Sequence, residues 1–171
     1  MEGEGKYTNT DGSIYEGDWL NNQQNGYGMQ EWTDGSKYEG NWKEGKKDGK
    51  GHFTWKDGSY YKGNFRDDKY YAKGEYKWAD GKMYTGDWKD GMMHGDGIYT
   101  WPDGKSYDGK FLNDKRQGYG KFKWASGKEY RGYWENGKMH GQGQIIKDGE
   151  VATGTWVKGL KVKLPASRKV D

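Results

Sequence analysis

The chain has 171 residues with a formal net charge of +3, no cysteine, and Gly 31, Trp 10 and Tyr 15, while only 30% of its residues are hydrophobic. So few aliphatic side chains exclude an ordinary aliphatic core, the lack of cysteine excludes a disulfide scaffold and a thiolate zinc site, and the mixed, nearly balanced charge excludes a nucleic-acid footprint. Richness in aromatic residues excludes a polar disordered tract.

In chain order, Met1-Glu2-Gly3-Glu4-Gly5 does not resemble a signal peptide, and no later stretch approaches the length of a transmembrane helix; a reducing interior compartment is expected. A 23-residue period then begins. Tyr15, Tyr38, Tyr61, Tyr84, Tyr107 and Tyr130 each open a Y-x-G-x-W/F segment, followed by polar residues, G-x-G-x-x-x-W and a D-G pair. Such a period predicts stacked supersecondary units, none able to bury a face alone.

Within a unit, Tyr38-Glu39-Gly40-Asn41-Trp42 alternates with a period of two, as do Gly49, Gly51, Phe53 and Trp55. The pattern predicts strands whose one face carries rings and glycines and whose other face carries residues such as Glu39, Asn41, Lys50, His52 and Thr54. Asp11-Gly12, Asp34-Gly35, Asp57-Gly58, Asp80-Gly81 and Asp103-Gly104, with Ser126-Gly127 in the fifth copy, are expected to make the tight hairpin turns. Asn22, Gly45, Asp68, Gly91, Asp114 and Gly137 are expected in the longer loops.

Cut at those turns, the chain holds seven hairpins that begin at Gly3, Gly26, Gly49, Ala72, Gly95, Gly118 and Gly141. The outer ones are degenerate, with Asn9 and Lys147 in Trp positions, as capping units are. Residues 1–156 read as a complete array and residues 157–171 as a basic tail. Rings laid over bare glycine backbone would make one layer sufficient. The expected fold is all-β: an elongated, twisted and curved single-layer antiparallel sheet of about fourteen strands, roughly 65 Å long.

The pattern at Tyr15–Gly35, Tyr38–Gly58 and Tyr84–Gly104 resembles the MORN repeat (membrane occupation and recognition nexus), over essentially residues 3–156. The resemblance implies a single-layer sheet of hairpins. It also implies roles found among relatives: junctional membrane tethers, plant phosphatidylinositol-phosphate kinases, ciliary radial-spoke heads and cortical cytoskeletal scaffolds of protists. The third copy departs from the pattern, with Ala72 for the first glycine and with Tyr70 and Tyr71 at loop positions.

The residues point to binding and not to catalysis. No nucleophile, base and orienting carboxylate occur together, so no enzyme activity and no cofactor are expected. The G-x-G strings lack the third glycine and the helix of a dinucleotide fingerprint. His94 and His140, two copies apart, lie too far apart to share a metal within one chain, His52 is on the polar face, and no metal is expected.

The expected partner groove is the ring face, through Tyr38, Trp42, Tyr61, Tyr84, Trp88, Tyr107 and Tyr130, which would receive a helix or an extended protein segment. Tyr60, Tyr70 and Tyr71 form a candidate loop hot spot. Lys158, Lys161, Lys163, Arg168 and Lys169 would carry any contact with anionic phospholipid. Three functions compete: a protein-binding scaffold, which is favoured, a membrane-surface adaptor, and the targeting arm of a larger enzyme. The expected setting is cytoplasmic, on a cytoskeletal or ciliary assembly and near membrane, as a monomer or an end-to-end homodimer.

Overall fold

The computed structural model describes residues 1–162, and no helix occurs among them. Fifteen strands follow one another: β1 (Gly3–Thr8), β2 (Ile14–Leu20), β3 (Gln23–Glu31), β4 (Lys37–Lys43), β5 (Lys46–Thr54), β6 (Tyr60–Arg66), β7 (Lys69–Lys77), β8 (Met83–Lys89), β9 (Met92–Thr100), β10 (Ser106–Leu112), β11 (Lys115–Lys123), β12 (Glu129–Glu135), β13 (Lys138–Lys147), β14 (Glu150–Val157) and β15 (Leu160–Val162). They form one open sheet in chain order, each paired antiparallel with its neighbours. The expected all-β single layer is therefore the fold observed.

The two kinds of turn are exchanged relative to expectation. The tight two-residue turns are Asn21-Asn22, Glu44-Gly45, Asp67-Asp68, Asp90-Gly91, Asn113-Asp114 and Asn136-Gly137, in which both residues have positive φ. That conformation matches the twist of the strands it joins. The pairs Asp11-Gly12, Asp34-Gly35, Asp57-Gly58, Asp80-Gly81 and Asp103-Gly104 instead sit in wider connections, whereas Asp148-Gly149 makes a tight two-residue turn with both φ positive. Trp32 N–H donates to Ser36 O, Gly35 N–H donates to Trp32 O, and of the loop residues only Gly35 has positive φ. Asp34 Oδ1 meanwhile accepts from the Ser36 backbone and hydroxyl, closing an Asx-turn.

The sheet also runs further than expected. Lys158-Gly159 makes another two-residue turn and β15 pairs with β14, so the array ends at or beyond Val162 instead of at 156. There Trp156 is buried and has Lys161 Nζ 5.5 Å from its ring centroid, on the paired strand. Fifteen strands are thus present where about fourteen were expected.

The glycines divide into two structural classes. The first glycine of each G-x-G, at Gly26, Gly49, Gly95, Gly118 and Gly141, has positive φ, beside a register shift in the ladder to the preceding strand. Ala72 is held at φ 52 in the same place, a conformation L-residues rarely adopt. The other class forms a continuous cross-strand row. Gly5, Gly17, Gly28 and Gly40 oppose one another in succession, and the row continues through Gly51, Gly63, Gly74, Gly86, Gly97, Gly109, Gly120, Gly132, Gly143 and Gly154, one glycine per strand from β1 to β14.

A tyrosine ring lies on each glycine pair. Tyr15, Tyr38, Tyr61, Tyr84, Tyr107 and Tyr130 are completely buried, and each hydroxyl donates to the carbonyl three residues ahead at 2.8–3.0 Å. A methyl group at Gly97 would stand 2.5 Å from Tyr84 Cζ, well inside van der Waals contact. Gly97→Ala should therefore displace the ring and cost at least about 1–3 kcal/mol, the usual penalty for overpacking. The exposed Lys62→Ala should change stability by less than about 0.5 kcal/mol. Denaturant melts of the two variants check this, and equal costs would refute the packing described.

Candidate functional site

Two rows of rings run side by side along the ring face. The first is an unbroken edge-to-face spine that alternates between the Tyr and the W/F of the Y-x-G-x-W/F segments. Tyr38 meets Trp42 at 5.0 Å and Phe65 at 5.2 Å, Tyr84 meets Trp88 and Phe111 at 5.0 Å each, and Tyr130 meets Trp156 at 5.0 Å. Indole N–H groups of Trp19, Trp42, Trp88 and Trp134 donate to glycine carbonyls fourteen residues back, at 3.1–3.2 Å. Edge-to-face packing suits the ring quadrupole, and its buried polar atoms are satisfied.

This spine contains all of Tyr38, Trp42, Tyr61, Tyr84, Trp88, Tyr107 and Tyr130, the residues expected to line a groove. The five tyrosines have no exposed surface and the two tryptophans only 5%. They are the core and do not form a contact surface. The reason is the glycine row, which lets each ring sink onto the backbone while its neighbours close over it.

A second row of rings, more accessible than the spine, runs through Trp32, Phe53, Trp55, Tyr76, Trp78, Tyr99, Trp101, Phe122 and Trp124. Successive centroids are 4.5–5.7 Å apart. All but Phe122 are half-buried. Each tryptophan stands just beyond the end of its strand, where the wide D-G connection begins. Among the described residues, the indole N–H groups of Trp32, Trp55, Trp78, Trp101 and Trp124 have no intramolecular acceptor and are not buried. The 23-residue spacing of these five tryptophans, each next to a turn and not within a strand, was the sequence signal that separates them from the spine.

The ridge is bounded in composition. At its start Gln30, buried and bonded to Gln24 and to Ser13 Oγ, replaces the strand ring, beside a cavity of about 580 Å³ lined by Trp19 and Trp32. At its far end Ile145 and Lys147 take the two ring positions.

Between spine and ridge lies one variable side chain per hairpin. Lys47 is 5.6 Å from the Trp32, Tyr38 and Phe53 rings and paired with Asp68. Tyr70 stacks on Tyr61 at 4.0 Å. Met93 and Met139 pack against the core, and Arg116 lies over Trp134 at 4.3 Å with its guanidinium donating to Gly137 O.

The expected hot spot of Tyr60, Tyr70 and Tyr71 is divided between the faces. Tyr70 belongs to the ring face, whereas Tyr60 donates to Glu75 on the polar face and Tyr71 opposes Asn64 with Arg66 stacked on it at 3.6 Å. All three are on strands and not in a loop: Tyr60 opens β6, and the two-residue turn Asp67-Asp68 ends before Tyr70 and Tyr71 on β7. Of the expected tail contacts, Lys158 is in the last turn and Lys161 is over Trp156, while Lys163, Arg168 and Lys169 lie outside the described residues. His94 and His140 are on strands β9 and β13, and no three His, Asp or Glu converge among the described residues.

Burial raises the phenol pKa of the spine tyrosines, taking Tyr15 and Tyr130 from 10.0 to about 12. Burial raises Tyr38, Tyr61, Tyr84 and Tyr107 as well. The unfolded chain loses these protons first, so it binds fewer of them at alkaline pH. Stability is therefore complete below about pH 10 and falls as pH rises through about 12. Tyrosinate absorbance from the buried class should appear together with loss of the sheet's circular dichroism; full ionisation near pH 10 with the sheet intact would contradict the burial.

Arg116 gives a second expectation. Burial lowers its pKa, and no carboxylate lies within ion-pair distance among the described residues. Met93 and Met139 fill the equivalent place in other hairpins. Arg116→Met should accordingly leave stability unchanged within about 1.5 kcal/mol or raise it. A large loss on thermal melting would mean that the cation contributes more than its packing.

The family model of the MORN repeat matches residues 1–14, 15–37, 38–60, 61–83, 84–106, 107–129 and 130–149. No curated protein matches. Among solved structures, the chain is similar to the TCP domain of SAS-4 (dCPAP) of Drosophila melanogaster, in complex with a proline-rich motif of Ana2 (dSTIL). Identity is 11%, the TM-score is 0.50, and the alignment covers 89% of this chain and 78% of that one. A match to inactive H270A virginiamycin B lyase from Staphylococcus aureus with quinupristin has 10% identity and a TM-score of 0.22, covers 95% of this chain and 56% of that one, and carries no argument. With family repeats end to end over residues 1–149, the chain belongs to the MORN repeat family.

Proposed function

We propose that the protein is a non-catalytic scaffold that binds a segment of a partner protein along the ridge from Trp32 to Trp124. The observation that carries this reading is the row of half-buried rings whose five indole donors meet no acceptor among the described residues. Rigid aromatic side chains give large contact area at small entropic cost, and each unpaired N–H adds direction. That a domain of comparable architecture takes a proline-rich motif as partner supports a peptide ligand. The family resemblance supports a cytoskeletal, cortical or ciliary setting.

The test is selection from a displayed peptide library on the full chain. Selected peptides should lose at least tenfold in affinity on Trp78→Ala with Trp101→Ala, since several large contacts are removed at once. They should be unaffected by Tyr119→Ser on the polar face or by deletion of residues 163–171. Thermal melts establish that the variants are folded. Selection of no ridge-dependent peptide, with binding to phosphatidylserine vesicles that survives the double substitution, would replace this reading by that of a membrane-surface adaptor.

A further inference from the structure

The ridge has a period, and the period identifies a ligand conformation. One hairpin advances the sheet by two strand spacings, about 9.4–9.8 Å. The ring centroids agree, because the steps Trp32 to Phe53 and Phe53 to Trp55 are 5.2 and 4.5 Å, which holds Trp32 and Trp55 within about 10 Å. A polyproline II helix advances about 9.3 Å per turn of three residues. The mismatch is roughly 0.3 Å per turn, little more than 1 Å over the four intervals from Trp32 to Trp124. An α-helix, with its pitch of about 5.4 Å, and a strand, whose two-residue repeat is near 6.7 Å, both fall out of step after one hairpin.

The hydrogen-bonding inventory agrees with the period. A polyproline II helix has no internal hydrogen bonds, so its carbonyls need donors. Trp32, Trp55, Trp78, Trp101 and Trp124 offer one indole N–H per hairpin that has no acceptor among the described residues, hence one per turn of such a helix. Proline, which lacks an N–H, asks for no acceptor in return, and the ridge provides rings for its apolar edge.

Charge gives the ligand an end. Ser13, Ser36 and Ser59 close the first three wide connections, but Lys82, Lys105 and Lys128 stand there in the later ones. Lys82 and Lys105 pair with Asp80 and Asp103, whereas Ser126 takes that acidic position before Lys128. Lys128 Nζ lies 4.9 Å from the Trp124 ring and, like Arg116, has no carboxylate within ion-pair distance among the described residues. Of the three turn lysines, the one without a paired carboxylate among the described residues thus stands at the Trp124 end.

We infer that the partner segment is a proline-rich polyproline II helix with proline at every third residue, laid along the ridge with a carboxylate-bearing flank at the Trp124 end. This rests on the scaffold reading and specifies its ligand.

The test uses the full chain and a labelled peptide of about fifteen residues, proline at every third position and two glutamates at one terminus. It is compared with a peptide of the same composition in which one glycine, moved to the centre, breaks the spacing. Fluorescence anisotropy should give at least tenfold tighter binding for the in-register peptide. Trp101→Phe, which keeps a ring and removes the N–H, should weaken binding about fivefold with the melting temperature nearly unchanged. Lys128→Glu should abolish the preference for the acidic flank. Equal binding of the two peptides, or no binding of either, overturns the inference. The scaffold reading survives that result if the displayed library yields proline-free peptides that depend on Trp78 and Trp101, and it falls with the inference if no selected peptide depends on them.

Discussion

The structure depends on one contact repeated along the array, a tyrosine ring lying on a pair of opposed glycines. At Gly86 and Gly97 even a methyl group has no space, because the ring of Tyr84 and the facing backbone already occupy it. Glycine usually weakens a strand. Here its missing side chain is what allows a single sheet to bury large rings without a second layer. The tyrosine hydroxyl then reaches the backbone beyond, so the sunken ring leaves no polar atom unpaired. With tyrosine, glycine and tryptophan committed to this contact, the remaining positions are free to vary from hairpin to hairpin.

Separation into spine and ridge is how one face supplies both stability and recognition. Spine rings pack edge to face, the tyrosines are fully enclosed, and Trp19, Trp42, Trp88 and Trp134 satisfy their indole donors internally. Ridge rings pack more nearly parallel at the start of the row, as in the 29° between Trp32 and Phe53, and keep their donors outward. A change in the ridge therefore leaves the Tyr–Gly contacts alone. Identity along the array is written mainly by the side chain between the rows, which runs through Gln24, Lys47, Tyr70, Met93, Arg116 and Met139.

Much of the fold was legible in the sequence because its determinants are local and periodic. Alternation in Tyr38-Glu39-Gly40-Asn41-Trp42 fixes both strand and face, and the repeat fixes the neighbour order. What was not legible was geometry that two sequences of similar composition share. Asp34-Gly35 and Asp90-Gly91 have the same composition and both supply a positive-φ glycine, yet only the second places both residues there. The candidate site failed for a related reason: alternation assigns Tyr84 and Trp101 to one face but says nothing about depth. Depth follows from the cross-strand glycine row, which exists only once the register does.

The array is built from near-identical units and would otherwise present the same surface at each step, leaving a ligand several equivalent registers and two directions. Three departures from the repeat remove that degeneracy. Gln30 interrupts the rings at one end, so a segment that needs a ring at every step stops at Trp32. The turn position changes from serine to lysine between Ser59 and Lys82, which replaces a hydroxyl bonded to the turn aspartate by an ammonium paired with it. Ser126 then removes the acid that neutralises the earlier lysines. Repetition gives the surface its period, and these few irregular residues give it an origin and a direction.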